Sequence, residues 1–302
     1  MEKINQDDFR KSSNKVGLMF ILHMISFGLV PPILSEIGIY NQSTNGFLFN
    51  MGFILIITCL LFPCDFKKMF LREKKIGILE GIFYVFLFLS IYFLLAILIS
   101  NLFSSLYFTS IGKKQLIAGI FISRGIIVPI VEEIVYRGIL LENLRKYGDA
   151  FAIVISSLIF GMLHAHRIVD TFWAGIFTGV LYVKSNQLSY SILMHMFINL
   201  FFTSFIFWIK QSFLIENINI EFLILTIISM ITAFVLYIVA KRKNYLKIKD
   251  VKVFQIKEII PQFKKDKEKY KIFFQGGGII FALILFFIIT LIEIKLVINT
   301  LK

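Results

Sequence analysis

The feature that most limits what this chain can fold into is a succession of long apolar stretches. Nine of them run at about residues 16–34, 47–64, 79–104, 117–141, 149–165, 169–184, 188–209, 220–240 and 276–299. A helix that crosses the hydrocarbon of a bilayer needs about 20 predominantly apolar residues. Because lipid offers the backbone no hydrogen bonds, such stretches must be helices that satisfy their own N–H and C=O groups. The expected fold is therefore all-α: a polytopic transmembrane helical bundle of about 8–9 spans with an intramembrane polar cavity. The stretches at 149–165 and 169–184 are short for full spans. They are expected to be tilted, broken or re-entrant, which a membrane tolerates only where the backbone is buried in protein or lines a cavity. Composition agrees, since 58% of the 302 residues are hydrophobic and only 17% charged, too little polar surface for a soluble domain of this size.

The formal net charge of +13 does not point to nucleic acid, because the basic residues sit in short loops between apolar stretches. Loops of that kind flank a membrane on its cytoplasmic side. With the N-terminus inside, 24 Lys and Arg fall on the cytoplasmic side and 6 on the other. A multi-pass cell-membrane protein with a cytoplasmic N-terminus and contacts to membrane lipids is expected. Residues 241–275 read as a solvated basic linker against anionic headgroups. The three glycines at Gly276, Gly277 and Gly278 read as a flexible entry to the last stretch. Cys59 and Cys64 share one apolar stretch and read as buried structural thiols.

Charged and polar residues inside an apolar stretch are expensive, which makes them candidates for function. Three groups stand out. In "EEIVYR", Glu133 and Arg137 are four apart, so a helix puts them on one face as an ion pair. Glu132 points about 100° away from Glu133 on a helix and is left to face a different environment. Pro129, just upstream, removes a backbone donor and can kink the helix. "FGMLHAH" carries Phe160, His164 and His166. "HMFIN" places His195 and Asn199 one turn apart on a shared face. A carboxylate, two histidines and an amide on three helices suit the activation of water, with or without a metal. The Glu can take a proton, a His can orient water or ligate, and a His/Asn pair can donate to an oxyanion. Glu and His are also ordinary zinc ligands. His23 stands alone in the first stretch and reads as a satisfied or interfacial histidine.

At these residues the sequence resembles the CPBP family of intramembrane proteases, also called the Abi or CAAX-protease-like family. Its pattern is EExxxR, FxxxH and HxxxN or HxxxD on separate helices. Here the three motifs are Glu132–Arg137, Phe160–His164 and His195–Asn199, intact and in order. The resemblance spans about residues 117–207. It implies a chain of three parts: N-terminal transmembrane segments over 1–116, a catalytic core over 117–209, and C-terminal segments over 210–302 with the basic loop 241–275. It also implies an intramembrane endopeptidase acting on a membrane-associated peptide or protein. By position, Glu132 would be the general base on a water that His164 helps hold. His195 and Asn199 would stabilise the tetrahedral oxyanion, and Glu133, Arg137 and Phe160 would support them. The family is commonly called a metalloprotease family. A bound divalent metal such as zinc would find its ligands in Glu132, His164 and His195.

The family also includes relatives linked to bacteriocin processing and self-immunity. The alternative reading is accordingly a non-catalytic membrane protein of immunity or regulatory type that binds a partner. A composition rich in Ile, Lys, Asn and Phe fits an AT-rich bacterial genome. There a leader peptide, pheromone precursor or membrane regulator is a better substrate class than a prenylated protein.

Overall fold

The computed structural model describes residues 6–28, 44–102, 122–164, 167–200, 218–242 and 266–300. His166, most of the basic linker and the ends of several apolar stretches lie outside these residues. The described residues are helical, with short turns and no strand. In chain order the helices are α1 (Gln6–Gly28), α2 (Thr44–Leu61), α3 (Phe66–Leu71) and α4 (Ile78–Leu102). Helix α5 runs without a break through Ser123–Ile127, Val128–Glu133, Ile134–Leu141 and Glu142–Leu144. Then follow α6 (Asp149–Met162), α7 (Ile168–Ser185), α8 (Leu188–Leu200), α9 (Ile218–Arg242), α10 (Lys267–Phe274) and α11 (Gly277–Thr300).

Among the described residues, Ile78–Leu98 and Leu223–Arg242 are each long and apolar enough to cross a membrane. A third candidate is α10 with the first part of α11, which meet at a bend of 74°. The expected eight or nine spans are therefore not all present as long helices here. Parts of several expected spans lie outside the described residues. Leu48–Leu61, Asp149–Met162 and Leu188–Leu200 are shorter apolar helices. At 1.5 Å per residue, the 14 residues of α6 cover about 21 Å, against a hydrocarbon thickness of about 30 Å.

Two apolar cores hold the bundle. The first gathers Phe9 and Phe20 of α1, Met51 and Ile54 of α2, Val135, Tyr136 and Ile139 of α5, Phe151 and Phe160 of α6, and Phe286 of α11. The second gathers Tyr84, Phe88 and Phe93 of α4, Phe177 and Leu181 of α7, Met194 and Ile198 of α8, and Leu225 and Ala233 of α9. Helices α5 and α8 touch each other, so the seam between the cores runs along the two helices that carry Glu132 and His195. Cys59 and Cys64 are free and only partly buried, packed against the edge of the first core.

Gly276 and Gly278 have a packing role that the sequence reading did not expect, while Gly277 faces open space. A Cβ on Gly17 would collide with the backbone of Gly278, and one on Gly276 with the Ser13 side chain. The Gly278 N–H also donates to Asn14 Oδ1 at 2.9 Å. Small residues here let the α1 and α11 backbones touch, as between helices packed in lipid. Gly17→Leu is expected to push them apart and cost about 1–3 kcal/mol, as overpacking does. A lowered melting temperature in detergent checks this, and unchanged melting would contradict the contact.

Residues that the charge count assigns to one side of the membrane meet at one end of the bundle. Lys146 pairs with Asp8 at 2.8 Å, and Lys269 donates to the Tyr147 carbonyl at 2.7 Å. Arg72 grips Glu142 at 2.6 and 3.1 Å and also reaches Asn186 Oδ1 at 3.1 Å. Arg145 bridges Glu142 at 3.2 Å and Asp149 at 2.7 Å, while the Tyr182 hydroxyl donates to Glu142 Oε2 at 3.1 Å. A cavity of about 300 Å³ opens at this end, bordered by Cys64, Lys68, Arg72, Gly138, Glu142 and Tyr182.

Burial raises the Glu142 pKa, but the Arg72 hydrogen bond and the charges of Arg145 and Arg72 outweigh it and hold the carboxyl below its ordinary 4.5. A carboxyl with a depressed folded-state pKa contributes stability that is complete above the unfolded value. That contribution is lost as pH falls through the folded value. Melting temperature is therefore expected to fall as the pH drops below about 4.5, and Glu142→Gln should flatten that part of the profile. An equally steep acid profile in the variant would assign the loss to other groups.

Candidate active site

Helix α5 changes its winding where the charges lie. Ser123–Ile127 and Ile134–Leu141 take the wider π-helical turn, and Val128–Glu133 between them is α-helical. Val128 N–H accordingly donates back to Ser123 C=O. Pro129, which has no N–H to give, sits in the first turn of the α stretch, where the winding switches. Wide turns of this kind recur at functional sites. Here one follows directly after the two carboxylates.

Glu133 and Arg137 form the ion pair that their spacing implies, with Nε and Oε2 3.3 Å apart and both side chains wholly buried. The contact is electrostatic rather than a well-formed hydrogen bond, since among the described residues Arg137 Nε, Nη1 and Nη2 and Glu133 Oε2 have no hydrogen-bond partner. The guanidinium carbon also lies 4.7 Å from the centre of the Phe160 ring, a cation–π contact. The other Glu133 oxygen, Oε1, lies 2.9 Å from His195 Nδ1. Glu133 thus joins α5 to α8 as well as pairing with Arg137.

Glu132 faces the other way, as its place on the helix requires. Its Oε2 is 3.5 Å from His195 Nε2, and its Oε1 is 3.9 Å from His164 Nε2. The shortness of α6 makes this possible, because His164 follows its last turn and is thereby brought level with Glu132. The Phe160 ring is the common floor. It lies 4.6 Å from the His164 ring, 5.6 Å from the His195 ring and 5.2 Å from the Tyr136 ring. Asn199, one turn after His195, donates from Nδ2 to the Arg124 carbonyl at 3.0 Å, so α8 is tied to the start of α5 at this level.

The hydrogen bonds set the tautomers. His164 Nδ1 lies 2.8 Å from the Phe160 carbonyl, which can only accept, so Nδ1 carries the hydrogen. His195 Nδ1 likewise donates to the Glu133 carboxylate. Both rings are held by an acceptor behind them and present Nε2 towards Glu132, as with metal-bound or water-orienting histidines. These donor atoms are of the kind zinc uses. Among the described residues, no three His, Cys, Asp or Glu side chains converge closely enough to hold a metal.

The seven residues to which the resemblance gives a part thus meet around α5, and His166 lies outside the described residues. The sequence reading gave no part to Tyr136 or Thr58, while His23, read as satisfied or interfacial, is satisfied by these two. Tyr136 lies inside "EEIVYR" but has no charge to mark it, and nothing along the chain shows which residues satisfy His23.

Together, the apolar helices and the buried carboxylate–imidazole cluster make this a helical membrane protein with a buried polar site. Residues 113–201 match the family model of the type II CAAX prenyl endopeptidase Rce1-like proteins, in agreement with the CPBP and CAAX-protease resemblance of the three motifs. The matched segment contains every one of the seven residues, and this similarity to a protease family supports a peptidase. No curated protein and no solved structure gives a significant match.

Proposed function

We propose that the protein is an intramembrane endopeptidase that hydrolyses a membrane-associated peptide or protein with a Glu132-activated water. The observation that carries the reading is the convergence of Glu132 with the Nε2 atoms of two histidines, each fixed from behind by a hydrogen-bond acceptor. The gap between Glu132 Oε1 and His164 Nε2 is 3.9 Å, a separation that a shared water can bridge. Glu132 takes a proton as the water oxygen adds to the scissile carbonyl carbon. The carbonyl oxygen becomes an oxyanion, towards which His195 donates when Nε2 carries a proton. Asn199, one turn along the same face of α8, is assigned the same part. Glu132 then returns the proton to the amine as the C–N bond breaks. Glu133 keeps His195 in place, and Arg137 offsets its charge.

The reading includes eight or nine crossing segments in a bacterial cell membrane, a cytoplasmic N-terminus and an intramembrane polar cavity above Glu132. The meeting of the basic loops at one end supports that topology. The substrate class is a leader peptide, pheromone precursor or membrane regulator. For a divalent ion to be taken up, Glu132, His164 and His195 would have to draw closer together than they stand here. Zinc added to metal-stripped protein, with binding followed directly, tests that part.

The function is tested by comparative peptidomics of membranes carrying the wild type and Glu132→Ala. Peptides produced only by the wild type support the reading. Identical peptide profiles, with the cellular phenotype kept in Glu132→Ala, His164→Ala and His195→Ala, would favour a partner-binding immunity or regulatory protein instead.

A further inference from the structure

His23 lies in α1, outside the segment that matches the protease family, and is fully buried. Its Nε2 is 3.1 Å from Thr58 Oγ1 on α2, and its Nδ1 is 3.2 Å from the Tyr136 hydroxyl on α5. The hydrogens can be assigned one by one. Thr58 Oγ1 gives its only hydrogen to the Ile54 carbonyl at 2.8 Å, so it must accept from His23 Nε2–H. Neutral imidazole has one hydrogen, so Nδ1 is an acceptor and the Tyr136 hydroxyl donates to it.

Tyr136 is the residue through which this arrangement reaches the site. It is buried, lies four residues beyond Glu132 in the widened stretch of α5, and packs its ring on Phe160 at 5.2 Å. Phe160 in turn touches both histidines and Arg137. The His23 and Tyr136 rings meet edge-on at 88°, which fixes the direction from which the hydroxyl is held.

We infer that His23 is a positioning residue for this site: through Tyr136 it sets the Phe160 floor on which His164 and His195 stand. Helices α1 and α2 are then part of the working enzyme rather than membrane padding around it. The inference rests on the proposed peptidase reading. Loss of the clamp leaves substrate contacts intact and misplaces reacting groups, so it is expected in kcat rather than KM.

The experiment uses full-length protein in detergent and the peptide found to be Glu132-dependent by peptidomics. His23→Leu and Tyr136→Phe should each lower kcat by about ten- to a hundredfold, the scale of a small misplacement, with KM within about twofold. The two losses should not add in the double variant, because each breaks the same link. Conservative variants separate positioning from folding. His23→Asn keeps an acceptor where Nδ1 was and should retain most activity. His23→Gln keeps a donor where Nε2 was, serves Thr58 instead, and should behave like His23→Leu. Melting temperatures of His23→Asn and His23→Gln should be similar, since each loses one of the two bonds. Additive losses, or activity that follows melting temperature across the set, would overturn the inference while leaving Glu132-dependent cleavage in place. Wild-type cleavage no different from Glu132→Gln would overturn both readings.

Discussion

Replacing Glu132 by Gln is expected to lower the turnover of a cleaved peptide by about 10²–10⁴-fold, the usual contribution of a positioned general base. The amide has the same shape but cannot take the proton, so the fold and the two imidazoles should stay in place. Glu133→Gln at the neighbouring position should cost less turnover per folded molecule. Its amide oxygen can still accept from His195 Nδ1, although a neutral acceptor holds that hydrogen more weakly than a carboxylate. Steady-state kinetics of both variants, corrected for folded fraction, make the comparison. Equal turnover for wild type and Glu132→Gln would remove Glu132 from the chemistry. A larger loss at Glu133 than at Glu132 would reverse the two roles.

The second large effect is expected on stability. Arg137 and Glu133 are both wholly inaccessible to solvent, so removing one leaves the other as an uncompensated buried charge. Breaking such a pair typically costs about 3–5 kcal/mol, and Arg137→Leu also forfeits the contact with the Phe160 ring. Joining Glu133→Gln to Arg137→Leu removes the stranded charge and should recover most of the lost stability. Melting in detergent tests the recovery, and a double variant that melts no higher than Arg137→Leu would show that charge is not the cause. Cleavage by the double variant should stay below wild type, since His195 is then held by an amide.

Much of the site could be read from local spacing. The Glu133–Arg137 pair, the opposite aim of Glu132 and the common face of His195 and Asn199 depend on positions one to four residues apart, where helix geometry decides the outcome. The helical membrane character likewise follows from hydrophobic length. The expected span count did not carry over to the described residues: parts of several apolar stretches lie outside them, and α6 ends after 14 residues. Hydropathy marked 149–165 as apolar, but not that its helix stops at Met162.

The amino-acid sequence alone thus determined the class of chain, the three polar groups and the internal pairing of "EEIVYR". Tertiary structure decided what those groups face. The Glu133 link to His195 spans 62 positions, and the His23 link to Tyr136 spans 113. Contacts at such separations depend on which helices pack together and at what height. Glycines 17 and 278 and the short α6 help set that packing. Periodicity along one helix carries no record of its neighbours, so a buried histidine that looked isolated in the first apolar stretch took on a partner only when α1, α2 and α5 met.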